Sequence, residues 1–298
     1  MGAARLLAGL VQVVAPAEVT AVVNVGDDVE LHGLHISPDL DTITYTLAGA
    51  IDPDRGWGLA GETWHAMEAL ARYPQARRWF NLGDRDLATH LYRTDRLRAG
   101  ATLSTVSQEI GDAWSLGLHL LPVTDDRLQT RVTVDGEGEI GFQEYFVQRQ
   151  HSVPVTAVRF DGADAARPAA GVLEAIRGAR RVVIAPSNPL VSIDPVLAVP
   201  GVRAAVEARR ADAVAVSPII AGAALKGPAD RLLRELGHEA SVLGVARLYA
   251  PLVATLVIDE ADRELAGAVA DEGLRCVVAP TIMRGPDEAK ALAEVVLA

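Results

Sequence analysis

The sequence predicts an α/β protein with a Rossmann-like, doubly wound and mainly parallel sheet. Short runs of Val, Ile, Leu and Ala recur along the 298 residues. Several of these runs contain no alternating polar residues, as expected for strands covered by helices on both faces. Helical patterns lie between the runs, and strand alternating with helix is typical of a parallel sheet. Hydrophobic residues make up 50% of the chain and charged residues 22%, which excludes a disordered protein.

The apolar runs are the predicted strands. The first covers residues 18–25 (EVTAVVNV), and the others lie at residues 155–160, 181–185, 213–216, 255–258 and 275–279. Helices are predicted at residues 166–176, 202–209, 229–236, 260–270 and 286–297. The segment before the first strand is amphipathic and lacks a convincing cleavage site, so we interpret it as a helix and not as a signal peptide.

Two regions break this alternation. Residues 62–114 have an almost entirely helical pattern, so we expect a helical insertion over residues 52–118 that covers the cleft. The core would then consist of residues 1–51 and 119–298. Residues 129–135 and 139–148 flank a Gly-Glu-Gly turn, and their alternating apolar residues predict a β-hairpin.

Composition excludes several classes of function. Asp and Glu number 39 against 28 Lys and Arg, a formal net charge of −11, which argues against binding nucleic acid through its phosphates. A single cysteine, Cys276, excludes an intrachain disulfide and a cysteine-based zinc site. No apolar run approaches the ~20 residues that a membrane span needs. We therefore expect a cytoplasmic protein without a membrane or nucleic-acid partner.

Acidic residues cluster after the first predicted strand. Asp27 and Asp28 follow it directly, and Asp39 and Asp41 come soon afterwards. Ligands of doubly wound sheets bind at the carboxyl ends of the strands, and Mg²⁺ prefers carboxylates, water and substrate phosphates as ligands. This spacing fits a metal–diphosphate site. It fits equally well a helix N-cap at Asp39 or Asp41 and a turn at Asp27 and Asp28.

A second polar cluster is the segment LGDRDLATH at residues 82–90. Gly83 permits a turn, Asp84 can cap the helix that follows, and Arg85 could reach a phosphate or carboxylate. Asp86 and His90 have the spacing of an exposed i, i+4 pair, and the residue pattern by itself favours that interpretation.

Polar loops also follow two later strands. Ser187 and Asn188 stand between prolines after one strand, and Ser217 and Pro218 follow the next. Each loop alone is consistent with a plain turn. Together with the acids after the first strand, they predict one shared cleft at the carboxyl edge of the sheet. Trp57 could stack on a planar ligand, although tryptophans more often pack within the protein.

The motifs taken in order resemble the 2-phospho-L-lactate transferase family over nearly the whole chain. They are NVGDD, SPDLDT, DRGWG, LGDRDLATH, LLPVTDD, FQEYFV, APSNPLVSI, AVPGVR, VSPIIAG and KGPAD. The stretch GWG-x-x-x-ETWHAM most resembles the actinobacterial branch, whose donor carries phosphoenolpyruvate.

The resemblance implies an Mg²⁺-dependent phosphotransferase of the EC 2.7.8 type. Its members transfer a phosphate-linked three-carbon acid from a guanosine diphosphate adduct to a hydroxyl of the deazaflavin Fo. The reaction releases GMP and gives coenzyme F-420-0 or its dehydro form. The acid would be phosphoenolpyruvate or 2-phospho-L-lactate. The alternative is a gluconeogenesis-factor-like regulatory protein that binds a nucleotide sugar without catalysis, although LGDRDLATH and SPDLDT favour the transferase.

The resemblance also implies roles for individual residues. Asp27 and Asp41 would bind Mg²⁺ and carry catalysis. Residues expected to border Fo are Trp57, Asn81, Gly83, Asp84, Arg85, Asp86, Thr89 and His90. Residues expected to hold the nucleotide are Gly2, Arg5, Ser187, Asn188, Ser217 and Pro218.

The start of the chain departs from the family pattern. The family usually opens with a strand and the loop Gly-Gly-x-Gly-Gly-Ala-Arg, whereas this chain opens with Met-Gly-Ala-Ala-Arg. We therefore expect the first strand of the sheet to be missing and a helix to start directly at about Ala3. The strand at residues 18–25 should then lack a neighbour on one side. The sequence leaves both a monomer and a homodimer open.

Overall fold

The computed structural model describes residues 1–298 and contains two groups of parallel strands. Its strands are β1 (Thr20–Val23), β2 (Val29–Leu31), β3 (Leu34–Ile36), β4 (His119–Pro122), β5 (Gln129–Val134), β6 (Gly138–Gly141), β7 (Val155–Asp161), β8 (Val182–Ile184), β9 (Ala213–Val216), β10 (Ile219–Ile220), β11 (Ala223–Ala224), β12 (Thr255–Ile258) and β13 (Arg275–Val278). Its α-helices are α1 (Gly2–Leu10), α2 (Pro38–Leu47), α3 (His65–Leu70), α4 (Asp86–Arg98), α5 (Leu103–Ala113), α6 (Val172–Gly178), α7 (Asp194–Ala198), α8 (Val202–Glu207), α9 (Ala229–Glu235), α10 (Val242–Tyr249), α11 (Ala266–Asp271) and α12 (Pro286–Leu297). None of the helices combines the length and apolar character needed to cross a bilayer.

The parallel strands form two groups. One contains β4 and β1, and the other has the order β13-β12-β9-β8. The expected α/β class with parallel strands is confirmed. Strand β1 pairs only with β4 and β8 only with β9, so each has one edge without a paired strand. Helix α1 begins at Gly2, close to the expected start.

Helices cover both faces of the larger group of strands. Val214 and Val216 of β9 pack in a cluster with residues of α1 and α12, while Ala213 and Ala215 belong to the main core on the other side. Successive side chains of a strand point to opposite faces. This arrangement explains why the run AVAV is apolar throughout, and it is the doubly wound pattern that the sequence predicted.

One predicted strand belongs to a different sheet. The run at residues 155–160 forms β7, which pairs antiparallel with β5 in a three-stranded sheet of order β6-β5-β7. Its assignment to the parallel sheet was wrong. Several of its side chains are exposed, so it is not covered on both faces. Conversely, β4 lies in the parallel part and was not among the predicted strands.

The predicted hairpin is confirmed in its first arm and shortened in its second. Strands β5 and β6 pair antiparallel, with Gly136 and Gly138 at positive φ between them. The second arm ends at Gly141, and a π-helix follows at Glu144–Gln148. Phe142 and Phe146 stack at 5.6 Å between ring centroids. Their spacing of four residues fits a helical face rather than a strand.

Residues 62–114 contain the helices α3, α4 and α5, so the predicted helical character of this region is confirmed, although less of it is helix than expected. Helix α3 is short, and residues 71–85 between α3 and α4 consist of turns and irregular backbone. Pro74 and Gly83 stand in this segment, and both residue types interrupt helices. Helix α5 packs against β4, so it contacts the sheet directly.

Candidate active site

The loop after β1 is tied to the first turn of α2. The side-chain oxygen of Asn24 accepts a hydrogen bond from the backbone N–H of Gly26 at 2.7 Å. The Asn24 amide donates to Oδ2 of Asp39 at 3.1 Å. Asp28 lies in a turn, since its N–H donates to the carbonyl of Val25 at 3.1 Å. The chain therefore brings Asp39 back to the carboxyl end of β1.

Asp27 is a buried carboxylate without a complete set of partners. Its residue is 7% exposed, and its Oδ1 has no hydrogen-bond partner. Burial and the nearby charge of Asp39 raise the pKa of Asp27 well above its ordinary value. A buried carboxylate in this condition is unfavourable unless a cation, a proton or a ligand donor meets it.

Only one carboxylate oxygen of Asp28 has hydrogen-bond partners. Its Oδ2 accepts from the hydroxyl of Ser37 at 2.7 Å and lies 2.9 Å from Nε2 of His35. Its Oδ1 is buried and has no partner. Burial raises the pKa of Asp28 above its ordinary value despite these bonds. Asp27 and Asp28 thus each keep one carboxylate oxygen free of protein donors.

Asp39 and Asp41 lie on opposite sides of α2. Residues two apart on an α-helix are separated by about 200° around its axis. Asp39 faces Asn24, whereas both oxygens of Asp41 bind the guanidinium of Arg93. The metal pair of Asp27 and Asp41 stays a prediction, and in the structure the carboxylate of Asp41 is already paired with Arg93. Neither acid of α2 is an N-cap, because the N-cap residue is Ser37.

Arg93 lies in a buried polar network between α2 and α4. Burial alone would lower the pKa of Arg93, but the charge and hydrogen bonds of Asp41 raise it. Nδ1 of His90 lies 3.7 Å from Asp41, and Nε2 of His90 lies 3.2 Å from Asp86. The hydroxyl of Tyr45 donates to Asp86 at 2.5 Å. The predicted exposed pair of Asp86 and His90 is thus an internal one.

A second group of side chains is spaced closely enough to hold a metal ion. One ligand atom each of Asp41, Asp86 and His90 lies within 4.8 Å of the others. Arg93, however, already binds both oxygens of Asp41. A divalent cation there would stand beside a guanidinium, and like charges repel strongly in a buried site. The geometry favours a role in fixing α2 against α4.

The segment at residues 82–86 is hydrogen-bonded to residues 60–66. Asp84 accepts hydrogen bonds from the Thr63 hydroxyl at 2.5 Å and from the N–H groups of His65 and Ala66 at 2.9 and 3.0 Å. Glu62 accepts from the N–H groups that open α4, at residues 85 and 86, each at 2.8 Å. Asp84 was expected to cap the helix that follows it. Instead it caps α3, and Glu62 caps α4.

The residues expected to border Fo fall into two groups. Trp57, Asn81 and Arg85 are exposed, and the Arg55 guanidinium lies 5.4 Å from the ring centre of Trp57. The others are buried or bonded within the protein. Gly83 packs against Glu62, and Asp84 caps α3. The buried network contains Asp86, Thr89 and His90. Their role in binding Fo stays a prediction.

The residues expected to hold the nucleotide lie at the carboxyl ends of β8 and β9. A Cβ at Gly2 would clash with the carbonyl of Pro186, so α1 begins against the loop after β8. Asn188 Oδ1 accepts from Leu190 N–H at 3.0 Å, and the buried Ser217 hydroxyl bonds to the backbone of Ile219. Pro218 follows in that same turn. Arg5 donates to the Met283 carbonyl at 2.7 Å.

A family model described as 2-phospho-L-lactate transferase CofD matches residues 1–289. The chain belongs to the 2-phospho-L-lactate transferase family. Several curated relatives of this transferase are named phosphoenolpyruvate transferase. That of Nocardia farcinica is 49% identical over 87% of this chain and 80% of its own length. The relative from Kitasatospora aureofaciens is 44% identical over 100% of this chain and 94% of its own length. The relative from Streptomyces coelicolor is 43% identical over 98% of this chain and 93% of its own length.

The fold of this transferase family member also resembles solved structures. Two crystal structures of a Bacillus halodurans protein, one described as a member of the UPF0052 family, match with TM-scores of 0.64 and 0.61. Sequence identity is 17% and 15%, and each match covers 100% of this chain and 96% of the other. A likeness at this identity concerns the fold, and it agrees with a Rossmann-like architecture.

Sequence reasoning missed several polar residues that are bonded around the candidate site or at a strand end. Arg93, Tyr45 and Glu62 were not singled out, because their partners are distant in the chain. Asp259 was also missed, although it follows β12 as Asp27 follows β1. Its Oδ2 accepts from both the N–H and the hydroxyl of Thr281 at 2.9 Å. An acid directly after an apolar strand was the available signal for Asp259.

Proposed function

We propose that the protein transfers a phosphoenolpyruvate moiety from a guanosine diphosphate adduct to a hydroxyl of the deazaflavin Fo. The products would be GMP and dehydro coenzyme F-420-0, formed in the cytoplasm. The observation that carries this proposal is the acidic cluster at the carboxyl end of β1, in which Asp27 and Asp28 each keep a buried oxygen without a partner. The names of relatives at 43–49% identity support phosphoenolpyruvate over phospholactate.

The acidic cluster fits Mg²⁺. Mg²⁺ takes oxygen ligands and is usually bound by one or two carboxylates together with substrate phosphates and water. The free oxygens of Asp27 and Asp28 supply such ligands, and Asp39 adds a third negative charge beside Asp27. We assign the ion to Asp27 and Asp28, with Asp39 alongside. When bound, Mg²⁺ would neutralise charge on the diphosphate.

The donor is assigned to the loops that follow β8 and β9. These loops follow the carboxyl ends of their strands, where doubly wound proteins bind nucleotides. The amino terminus, beside the loop after β8, lies close enough to Asp39 for their charges to interact. Gly2 allows α1 to begin directly against Pro186, and the backbone N–H groups at a helix start attract phosphate. Arg5 adds a positive charge on the same helix. The guanosine would lie along the segment that contains Asn188.

The reaction needs no protein nucleophile. A hydroxyl oxygen of Fo attacks the β-phosphorus of the donor and forms a new P–O bond. The bond from that phosphorus to the bridging oxygen breaks, and GMP leaves with the bridging oxygen. Positioning and charge neutralisation account for most of the rate in such transfers. One carboxylate of the acidic cluster would accept the proton of the attacking hydroxyl.

Incubation of the purified protein with Fo, Mg²⁺ and each guanosine adduct tests this proposal. Mass spectrometry should detect dehydro coenzyme F-420-0 and GMP from the phosphoenolpyruvate adduct. Product from the phospholactate adduct alone would assign the other three-carbon acid. Absence of product from both adducts, with Fo and donor present in excess, would contradict the proposed function.

A further inference from the structure

His35 contacts the acidic cluster with its side chain and helix α4 with its backbone. Nε2 of its ring lies 2.9 Å from Oδ2 of Asp28. Its backbone N–H donates to the hydroxyl oxygen of Thr94 at 2.8 Å, and its carbonyl oxygen lies 3.5 Å from Nη1 of Arg93. His35 therefore connects a carboxylate of the acidic cluster to α4.

The β2–β3 hairpin brings His35 to Asp28. His32 and Gly33 form its two-residue turn with positive φ values of 54° and 74°, as the tight turns of hairpins require. The register pairs the first residue of β2 with the last residue of β3. Asp28 directly precedes β2 and Ser37 directly follows β3, so the two residues meet at the open end of the hairpin. His35 and Ser37 are two positions apart, and alternate residues of an extended chain point to the same side.

His35 and Ser37 bind the same oxygen of Asp28. Oδ2 accepts from the Ser37 hydroxyl at 2.7 Å and lies 2.9 Å from the His35 ring. A carboxylate can only accept hydrogen bonds, so Nε2 of His35 carries the proton in this pair. Oδ1 of Asp28 is buried and has no partner. Two donors on one oxygen restrict rotation of the carboxylate and leave the other oxygen free for a ligand.

The residues of α4 that hold His35 are themselves buried and bonded. Thr94 is 6% exposed, and its hydroxyl donates to the carbonyl of His90 at 2.7 Å. Arg93 is 1% exposed and binds Asp41. Hydrogen bonds are electrostatically stronger in a buried site than in water. The backbone of His35 is therefore fixed to α4, and its ring can hold the neighbouring carboxylate in one orientation.

We propose that His35 is a positioning residue for the cation site, which orients the Asp28 carboxylate so that Oδ1 stays free for Mg²⁺. Thr94 and Arg93 hold His35 in place. This inference rests on the proposed function, which assigns the ion to Asp27 and Asp28, and deepens it. His35 acts through Asp28 and is not itself a ligand. Loss of an outer hydrogen bond to a metal ligand costs about 10–100-fold in metal affinity or activity.

Titration with Mn²⁺, which shares the preference of Mg²⁺ for carboxylate oxygens, tests the inference when free Mn²⁺ is followed by EPR. His35→Leu removes the donor and should raise the Kd for Mn²⁺ about 10–100-fold. His35→Gln keeps an N–H donor near the place of Nε2, so its Kd should stay close to the wild-type value. The shorter side chain of His35→Asn does not reach Asp28, so this variant should behave like His35→Leu and replaces it if the leucine variant fails to fold.

Activity gives a second measurement on the same variants. The Mg²⁺ concentration for half-maximal product formation should rise in His35→Leu by the same factor as the Kd for Mn²⁺. A thermal melt of each variant in a chelator confirms that it is folded.

His32→Asn is the matched control. His32 lies in the turn of the same hairpin, is exposed, and its ring lies 2.8 Å from the carbonyl oxygen of Arg77. Asn tolerates the positive φ of this position. The Kd of this variant for Mn²⁺ should equal that of the wild type.

A double variant separates positioning from a general loss of structure. In Asp28→Asn the carboxylate through which His35 acts is gone. Adding His35→Leu to Asp28→Asn should therefore change the Kd for Mn²⁺ no further, because the two substitutions act on one interaction.

The outcomes separate this inference from the proposed function. Unchanged Mn²⁺ affinity in folded His35→Leu or His35→Asn would overturn the inference and leave the function standing. Equal losses in His35→Gln and His35→Leu, or a full effect of His35→Leu in the Asp28→Asn background, would also overturn it. Wild-type protein that binds no Mn²⁺ would refute both the inference and the assigned ion. The expected pattern of Mn²⁺ affinities in a protein that forms no product from Fo would refute the function and support the role of His35.

Discussion

At the residue scale, helix geometry separates the partners of the two acids of α2. Asp39 and Asp41 are two positions apart on α2, so only one of them can face the loop after β1. Asp39 does so through Asn24, and Asp41 is neutralised by Arg93. The sequence shows four acids close together, but it does not show which share a surface. Arg93 lies 52 positions from Asp41 in the sequence, so no local pattern predicts this ion pair.

Asp27→Asn should stabilise the metal-free protein at neutral pH. The folded-state pKa of Asp27 is raised above its unfolded value. The folded state therefore binds this proton more tightly, and the carboxylate weakens folding at pH values above its raised pKa. Thermal melts in a chelator should give a higher Tm for Asp27→Asn at pH 7. The difference should shrink as the pH falls toward the ordinary range of Asp. A lower Tm for the variant at pH 7 would contradict the account.

Asp41→Asn should destabilise the fold rather than act on catalysis alone. Removing one partner of a buried ion pair leaves an uncompensated charge and costs about 3–5 kcal/mol. Urea unfolding measures this loss. The double variant Asp41→Asn with Arg93→Met removes the stranded charge, so it should recover part of the stability. If Asp41→Asn unfolds at the wild-type urea concentration, the structural role of the pair is refuted.

At the scale of elements, apolar runs predicted most strands of the larger parallel group. Each of these strands is marked by the residues of its own short segment. Strand β4 was missed, since HLLP is short and ends in proline. Strand β7 was assigned to the wrong sheet, because an apolar run does not reveal its partner. The loops after β1, β8 and β9 were located correctly at strand ends. The capping roles of Glu62 and Asp84 were not predicted, because each side chain caps a helix that is distant from it in the sequence.

Glu62→Ala should loosen the start of α4. Its carboxylate serves two helix-opening N–H groups, and removal of a helix cap costs about 0.5–2 kcal/mol. Thermal unfolding should show a lower Tm, and limited proteolysis should cut faster within residues 71–85. Glu68→Ala is the control, because that side chain is 73% exposed and caps no helix. Equal Tm values for the two variants would show that Glu62 does not stabilise α4.

At the scale of the whole molecule, the sheet organises the chemistry. Helices α1 and α12 pack on one face and the main core on the other, so polar residues collect at the strand ends. The acids follow the carboxyl end of β1, and the polar loops follow the carboxyl ends of β8 and β9. Gln143, which follows the hairpin, donates a hydrogen bond to the Asp27 carbonyl. Family membership gives the transferase class, and the free oxygens of the acidic cluster give the proposed centre.

The most direct test of this account is the rate of dehydro coenzyme F-420-0 formation as Mg²⁺ is titrated, in wild-type protein, Asp27→Asn and the exposed control Asp271→Asn. Saturable Mg²⁺ dependence is expected in the wild type and the control. A loss of about 10²-fold or more is expected in Asp27→Asn, since removal of one group from a site that stabilises transition-state charge costs about 10²–10³-fold. Wild-type rates in folded Asp27→Asn at every Mg²⁺ concentration would contradict the central role of the acidic cluster.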